Sequence, residues 1–271
     1  MFTTVRTAAG PGLKLAYDVE GSGPPVLLIM GLGVNRAGWE LQVSDWKQVG
    51  TCIRFDNRGS GESDTPPGPY STAQMADDAV ALLDTLGVGR AHVVGISMGG
   101  MIAQRLALRN PERVRSLTLL ATHGGGLAAA PPPTTIARFL ALQTARTPEA
   151  RFHHVSRLLY SPRFLAEHRD QLRTRMMTGA LGDPQSTRGF RAQVAAVSGH
   201  RTGRELGLLH AIPTLLMHGT ADVCVRPLNL RLLERWMPWA QTSVLQGVGH
   251  GLNVEAADTV NTTVRRFWAA L

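Results

Sequence analysis

The segment that most restricts what this 271-residue chain can fold into is Gly95–Gly100, which reads Gly-Ile-Ser-Met-Gly-Gly. It overlaps the end of the apolar run His92–Ile96 and leads into Met98–Arg109, a helical segment that stops near Pro111. Glycines on both sides of Ser97 allow a tight turn in which the serine backbone is strained and larger neighbours would crowd it. Strand, turn and helix in this order are the setting of a nucleophile elbow. We therefore predict that the turn lifts the Ser97 hydroxyl above a sheet; the alternative is a glycine-rich turn that binds phosphate or only packs.

Short apolar runs alternate with helical segments along much of the chain, and this predicts an α/β fold. Such an alternation produces parallel strands joined by right-handed crossovers, hence a doubly wound sheet. The predicted strands are Leu13–Val19, which alternates as an edge or antiparallel strand does, Val26–Met30, Cys52–Phe55, His92–Ile96, Leu117–Ala121, Thr214–His218 and Thr242–Leu245. The predicted helices are Thr72–Leu86, which begins with a capping box at Ser71 and Gln74, Met98–Arg109, Leu228–Met237 and Ala256–Ala270.

The alternation is interrupted between residues 124 and 209. Gly124–Pro133 is rich in glycine, alanine and proline, which is typical of a linker. No convincing strand follows until about Leu209, and apolar residues recur at helical spacing. They are Ile136, Phe139 and Leu140, then Phe152, Val155, Leu158 and Leu159. We predict a core domain formed by residues 1–123 and 210–271, with a helical cap or lid, residues 124–209, inserted into it.

A serine hydroxyl needs a base and an acid that orients the base. His250 is the favoured base, because it lies in the glycine-rich loop Gly247–Gly251 between the last predicted strand and the last helix. Asp222 is the favoured acid, since it follows the strand Thr214–His218 at the carboxyl edge of the sheet. The competing acids are Glu255, only five residues beyond His250, and Asp84, at the end of a surface helix.

Two backbone N–H groups are predicted to form an oxyanion hole. The Met98 N–H lies at a helix N-terminus, where developing negative charge is stabilised. The Leu32 N–H is the second candidate, because the turn Met30–Gly33 follows a buried strand and its glycines allow the backbone to approach the elbow. An ordinary β-turn is the alternative interpretation of that segment.

The composition bears on partners and compartment. The net charge of +8 and a pI near 10.6 suggest nucleic-acid binding, but the basic residues are dispersed, so we predict no such partner; the charge still favours anionic substrates. No apolar run approaches the roughly 20 residues of a membrane span, and Met1–Gly10 has no secretory signal pattern. Cys52 and Cys224 do not suggest a disulfide scaffold. We therefore predict a cytoplasmic protein without membrane attachment.

With these residues identified, the chain resembles the serine-hydrolase branch of the α/β-hydrolase superfamily over essentially its whole length. Asp56–Ser63 is similar to the family's D-x-R-G-x-G-x-S loop, and Gly95–Gly100 to its elbow. His218–Asp222 resembles the acid turn and Gly249-His250 the histidine loop. The resemblance implies a mostly parallel eight-stranded sheet flanked by helices, a helical cap between strands six and seven, and no cofactor.

The chain departs from the family pattern at one position: the turn after the third strand usually begins His-Gly, and here it begins Met30-Gly31. Because the oxyanion donor is a backbone group, this change need not abolish catalysis. This change and the segment Gly247–Leu252 make the chain similar to the bacterial polyketide methylesterase-like and enol-lactonase-like members of the superfamily. A serine rather than an aspartate at position 97 argues against haloalkane dehalogenases and epoxide hydrolases, which attack through a carboxylate.

The expected function is hydrolysis of a carboxylic ester or lactone through an acyl-enzyme, a methyl ester of a secondary metabolite being one candidate. Two alternatives remain open. One is C–C bond or non-hydrolytic chemistry with the same triad (lyase, decarboxylase or cyclase) in a biosynthetic pathway, and the other is a ligand-binding protein with a vestigial triad. The expected substrate is a small apolar or aromatic molecule, and the expected state is monomer or homodimer. The predicted substrate contacts are Gly31, Val34, Phe139, Leu140 and Leu252. For the two residues of the lid, Phe139 and Leu140, packing within the lid is the alternative.

Overall fold

An eight-stranded sheet lies at the centre of the computed structural model, which describes residues 1–5, 12–126, 129–178 and 186–271. The strand order is β1-β2-β4-β3-β5-β6-β7-β8, antiparallel between β1, β2 and β4 and parallel from β4 through β8. The strands are β1 (Phe2–Val5), β2 (Leu13–Glu20), β3 (Pro25–Ile29), β4 (Thr51–Phe55), β5 (Ala91–Ile96), β6 (Val114–Leu120), β7 (Thr214–Gly219) and β8 (Gln241–Leu245). The predicted fold class is confirmed.

Helices cover both faces of this sheet, which explains why its central strands are continuous apolar runs. The helices are α1 (Glu40–Trp46), α2 (Thr72–Thr85), α3 (Met98–Arg109), α4 (Pro133–Thr144), α5 (Pro148–Leu159), α6 (Pro162–Thr178), α7 (Thr187–Ser198), α8 (Leu228–Trp236), α9 (Leu252–Glu255) and α10 (Ala257–Ala269). In β3, Leu27 and Ile29 pack in the core cluster that contains residues of α2, α3 and α8. The alternate residues Val26 and Leu28 pack in the cluster that contains residues of α1 and α10.

In the described part of the chain, helices α4 to α7 lie between β6 and β7, where the sequence predicts the cap. Packing divides them into two groups. Phe152, Tyr160, Leu172 and Met176 form a separate apolar cluster in the α5–α6 region. In α7, by contrast, Ala192 and Ala196 belong to the main core cluster, as does Leu206 of the 3-10 helix Gly203–Leu209. The boundaries 124–209 and the cap role of this segment stay predictions, and residues 127–128 and 179–185 within it lie outside the described residues.

The Ser71 side chain accepts a hydrogen bond from the Gln74 N–H at 3.1 Å, as the predicted cap of α2 requires. Among the described helices, none has the length and apolar character needed to cross a membrane.

Candidate active site

Ser97 lies in the turn between β5 and α3, with φ 55° and ψ −120°. A non-glycine residue rarely adopts a positive φ, so the surrounding bonds must hold it there. The Ser97 N–H donates to the Leu120 carbonyl at 2.9 Å, and its own carbonyl accepts from Thr122 Oγ1 at 2.7 Å. The end of β6 thus fixes the serine backbone on both sides, and the predicted elbow is observed as a turn.

The flanking glycines are required by close approach of backbone to backbone. A Cβ on Gly99 would lie 2.0 Å from the Ile29 carbonyl oxygen. A Cβ on Gly95 would lie 2.3 Å from the Gly99 carbonyl oxygen. Both distances are far shorter than contact distances between such atoms, so the turn in this form excludes side chains at both positions.

The turn after β3 lies against Ser97. A Cβ on Gly31 would be 3.2 Å from the Ser97 Cβ and 3.8 Å from its Oγ. The Val34 N–H closes the turn on the Gly31 carbonyl at 3.4 Å, and Gly33 has a φ of 72°. The structure therefore brings the predicted Leu32 turn beside Ser97. Met98 follows as the first residue of α3, a position whose N–H has no acceptor within its own helix.

Asp222 and His250 form a hydrogen-bonded pair at the same edge of the sheet. His250 Nδ1 lies 2.7 Å from Asp222 Oδ2, and both side chains are buried. The other carboxylate oxygen, Oδ1, accepts from the N–H groups of Cys224 and Val225 at 2.8 and 2.9 Å. Burial alone would raise the pKa of Asp222, but the His250 and His218 imidazoles outweigh it and hold that pKa at about 2. The carboxylate is therefore ionised at neutral pH and fixed in position.

His218, at the end of β7, provides a further donor to this carboxylate. Its Nε2 lies 2.9 Å from the Val225 carbonyl oxygen and 3.3 Å from Asp222 Oδ2. Because a carbonyl oxygen only accepts, Nε2 carries the proton. The sequence shows His218 as a strand end and gives no sign of this contact with Asp222.

Glu255, the first competing acid, contacts the backbone of the histidine loop instead of the imidazole. Its Oε2 accepts from the N–H groups of Gly249 at 3.0 Å and Ser161 at 2.9 Å, and its Oε1 accepts from the Ser161 hydroxyl. The Gly251 N–H donates to the Leu159 carbonyl at 2.7 Å. These bonds join the histidine loop to the segment between α5 and α6.

Asp84, the second competing acid, is 60% exposed and pairs with Arg113 at 2.7 Å. Neither competing acid takes the place of Asp222 beside His250.

The predicted substrate contacts differ in their distance from Ser97 and in their burial. Gly31 adjoins Ser97, and Val34 is half-buried beside the same turn. On α4, Phe139 is half-buried and Leu140 is 58% exposed, so their contact with substrate stays a prediction. Leu252 is fully buried in the core cluster on the α1–α10 face of the sheet, so its side chain packs in the interior, contrary to its predicted role.

Met30, which stands where the family has histidine, also packs inward. Its side chain is buried in the core cluster on the α1–α10 face, and its Cε would lie 2.2 Å from a Cβ on Gly38. Its carbonyl accepts from Asn57 Nδ2 at 2.9 Å. The side chain at position 30 thus stabilises the interior beneath the turn.

His123 is a second buried histidine near the site that sequence analysis did not single out. Its Nδ1 accepts from the Gly125 N–H at 3.0 Å, so Nε2 carries the proton of the neutral ring. Burial, with smaller contributions from Arg201 and His250, lowers the pKa of His123 to about 4. The ring is therefore neutral at physiological pH.

Gln193 of α7 is a third residue that sequence analysis missed, and it reaches the Leu32 turn. Its Oε1 accepts from the Gly33 N–H at 3.0 Å, across a separation of 160 residues. A polar residue on an otherwise ordinary helix gives no sequence signal for such a contact.

Among the described residues, the donor groups of Asp222, Cys224 and His250 lie within 4.8 Å of one another, the spacing of a candidate metal site. The Cys224 thiol, however, donates to the Leu158 carbonyl at 3.2 Å, and burial raises its pKa well above the usual value. Because the thiolate is the metal ligand, and the other two groups already bind each other, this set does not fit a resident metal.

Comparison with known proteins adds to this geometry. A family model described as alpha/beta hydrolase fold matches residues 24–257. The chain is 30% identical over 263 residues to a putative carbamate hydrolase, RutD, of Azorhizobium caulinodans, covering 96% of this chain and 97% of that protein. A thermophilic esterase from Thermogutta terrifontis has a similar structure, with a TM-score of 0.86, 25% identity and coverage of 100% and 98%. The enol-lactonase from Burkholderia xenovorans LB400 gives a TM-score of 0.82, 26% identity and coverage of 97% and 100%.

Proposed function

Because the chain belongs to the alpha/beta-hydrolase fold family and is a hydrolase, we propose that it cleaves a carboxylic ester or lactone through an acyl-enzyme on Ser97. The observation that carries the proposal is the 2.7 Å hydrogen bond between buried Asp222 and His250. It lies at the edge of the sheet where the strained Ser97 turn is also held. An acid, a base and a serine at one edge are the groups that acyl transfer needs.

In the proposed mechanism His250 removes the Ser97 proton while Oγ attacks the substrate carbonyl carbon. Asp222 accepts the hydrogen bond from His250 Nδ1 and stabilises the imidazolium that forms. The N–H groups of Leu32 and Met98 bind the oxyanion, and each lowers the free energy of the transition state by about 3 kcal/mol. His250 then protonates the leaving alkoxide. In the second half of the reaction water, deprotonated by His250, attacks the acyl-enzyme and releases the acid from Ser97.

Ester and lactone chemistry is supported by the similar structures named an esterase and an enol-lactonase. A second candidate is a carbamate, because a relative that matches nearly the whole chain is named a putative carbamate hydrolase. Serine attack on a carbamate carbonyl uses the same groups and, with loss of the alcohol, leaves a carbamoyl group on Ser97 that water then removes. The apolar or aromatic nature of the substrate remains part of the proposal.

The proposal is tested by labelling the protein with a fluorophosphonate and measuring the intact mass, with Ser97→Ala and His250→Ala as controls. We expect one adduct on the unmodified protein and none on either variant. Folded protein without an adduct would contradict an assembled triad. Hydrolysis of p-nitrophenyl, methyl, lactone and carbamate substrates then identifies the bond. Labelling without turnover of any of them would favour the lyase or vestigial-triad alternatives.

A further inference from the structure

Gln193 is a buried glutamine of α7 that joins two loops beside the site. Its Oε1 accepts from the Gly33 N–H at 3.0 Å. Its Nε2 donates to the Arg58 carbonyl and to Ser60 Oγ, each at 2.8 Å. One side chain therefore connects the Leu32 turn to the loop that follows β4.

The orientation of this amide is fixed by its partners. The Gly33 N–H can only donate, so it must face the amide oxygen of Gln193. The Arg58 carbonyl can only accept, so it must face the amide nitrogen. Rotating the amide by 180° would break both bonds, and the acceptor for Gly33 is thus held in place.

The bond to Gly33 acts on the turn that is proposed to bind the oxyanion. Gly33 is the third residue of the hydrogen-bonded turn Gly31–Val34, and its φ of 72° is the left-handed value that a type II turn has there. Rotation of the peptide between Leu32 and Gly33 is what converts such a turn to the type I form. Because Gln193 holds the N–H of this peptide, it restrains the backbone on the C-terminal side of Leu32.

Gln193 is itself on a firmly packed helix. A Cβ on Gly189 would lie 2.4 Å from the Gly59 carbonyl oxygen, so α7 contacts the loop after β4 backbone to backbone. The Ala192 carbonyl accepts from the Tyr70 N–H at 3.3 Å, and Ala192 packs in the main core. The helix is thus a fixed support for the glutamine.

We propose that Gln193 is a positioning residue for the oxyanion hole, which holds the Leu32 turn in the conformation that directs the Leu32 N–H to the substrate carbonyl oxygen. The inference rests on the proposed function. It makes α7, an inserted helix, part of the catalytic apparatus through one side chain.

The test compares Gln193→Met, which removes both sets of hydrogen bonds at similar volume, with Gln193→Glu, which keeps an acceptor for the Gly33 N–H. Arg191→Met, at an exposed position of the same helix, is the matched control. The readouts are the rate constant for fluorophosphonate labelling of Ser97, and kcat and KM for p-nitrophenyl butanoate. The value of kcat is calculated per active site, counted by prolonged labelling, so that unfolded protein does not contribute.

We expect Gln193→Met to lower the labelling rate constant and kcat together by about 10- to 100-fold, with KM changed less than about threefold, because the hole acts on the transition state. Gln193→Glu should lose less than about tenfold, and Arg191→Met nothing measurable.

Equal rate constants for Gln193→Met and the unmodified protein, or an effect on KM alone, would overturn the inference while leaving the proposed function intact. If Gln193→Met does not fold, Gln193→Glu decides: a loss of kcat greater than about tenfold overturns the inference. Absence of labelling in the unmodified protein would remove the proposed function and this inference with it.

Discussion

Ser97 occupies a backbone conformation that side-chain-bearing residues avoid, and Ala121, the residue that follows β6, has a φ of 44°. Such conformations cost about 1–3 kcal/mol each and persist where surrounding bonds impose them. At Ser97 those bonds are the contacts with Leu120 and Thr122. The position of the hydroxyl is therefore obtained at the expense of stability.

We predict that Ser97→Gly stabilises the fold by about 1 kcal/mol relative to Ser97→Ala, because glycine adopts this conformation without a steric penalty. Both variants should lack labelling. The measurement is the midpoint of urea unfolding, and a glycine variant no more stable than the alanine variant would show that the turn is not strained.

Single residues differ in how far the sequence reveals their role. Asp222 and His250 are predictable as partners, because each follows a strand and the residue types are those of an acid and a base. The contacts of Gln193 with Gly33 and of Thr122 with Ser97 are not, since they join ordinary polar residues to backbone groups through tertiary packing alone.

At the scale of elements, buried strands and strongly amphipathic helices are predictable, and short or exposed ones are not. The predicted helix Met98–Arg109 has the observed bounds, and the central strands agree within about three residues. β1, with four residues at the sheet edge, and α1, with seven, are not predicted from the sequence. Nor is α6, in which polar side chains outnumber the apolar ones that pack in the α5–α6 cluster.

The contact of α7 with the loop after β4 leads to a prediction on stability. Gly189→Ala should destabilise the protein by about 1–3 kcal/mol, because the added Cβ would lie 2.4 Å from a carbonyl oxygen of Gly59 and must displace backbone. Helix propensity alone would favour alanine by up to about 1 kcal/mol, so the sign of the change shows whether the contact with Gly59 or the propensity dominates. The measurement is the free energy of unfolding in guanidinium chloride.

The matched control is Gly89→Ala, where nothing lies within 4 Å of the added Cβ and a change below about 0.5 kcal/mol is expected. A stabilising effect of Gly189→Ala would mean that α7 does not press on this loop.

At the scale of the whole molecule, buried neutral histidines make stability depend on pH. Burial lowers the pKa of His92 and His123 to about 4 and that of His200 to about 3. The unfolded chain therefore binds more protons than the folded one below pH 6.5, and stability falls as the pH drops from 6.5 towards 4. The raised pKa values of Asp56 and Asp78 act in the opposite direction.

A variant isolates the histidine contribution. His123→Asn places an amide oxygen where Nδ1 accepts from Gly125, and it removes one titrating group. Between pH 7 and 4.5 the unmodified protein should lose about 2–3 kcal/mol more unfolding free energy than this variant, measured by urea unfolding at each pH. Parallel losses in the two proteins would contradict a buried, neutral His123.

The bonds between Glu255 and Ser161 have a consequence for protein engineering. Segments inserted between two strands are natural units for exchange when a new substrate range is wanted. Here an exchange of residues 129–178 would remove Ser161, which donates to Glu255, and the Leu159 carbonyl, which accepts from the Gly251 N–H of the histidine loop. A chimera extended to residue 198 would lose Gln193 as well. A functional graft must therefore keep the hydrogen-bonding groups at residues 159–161 and, where α7 is exchanged too, at Gln193, or provide equivalent groups at these positions.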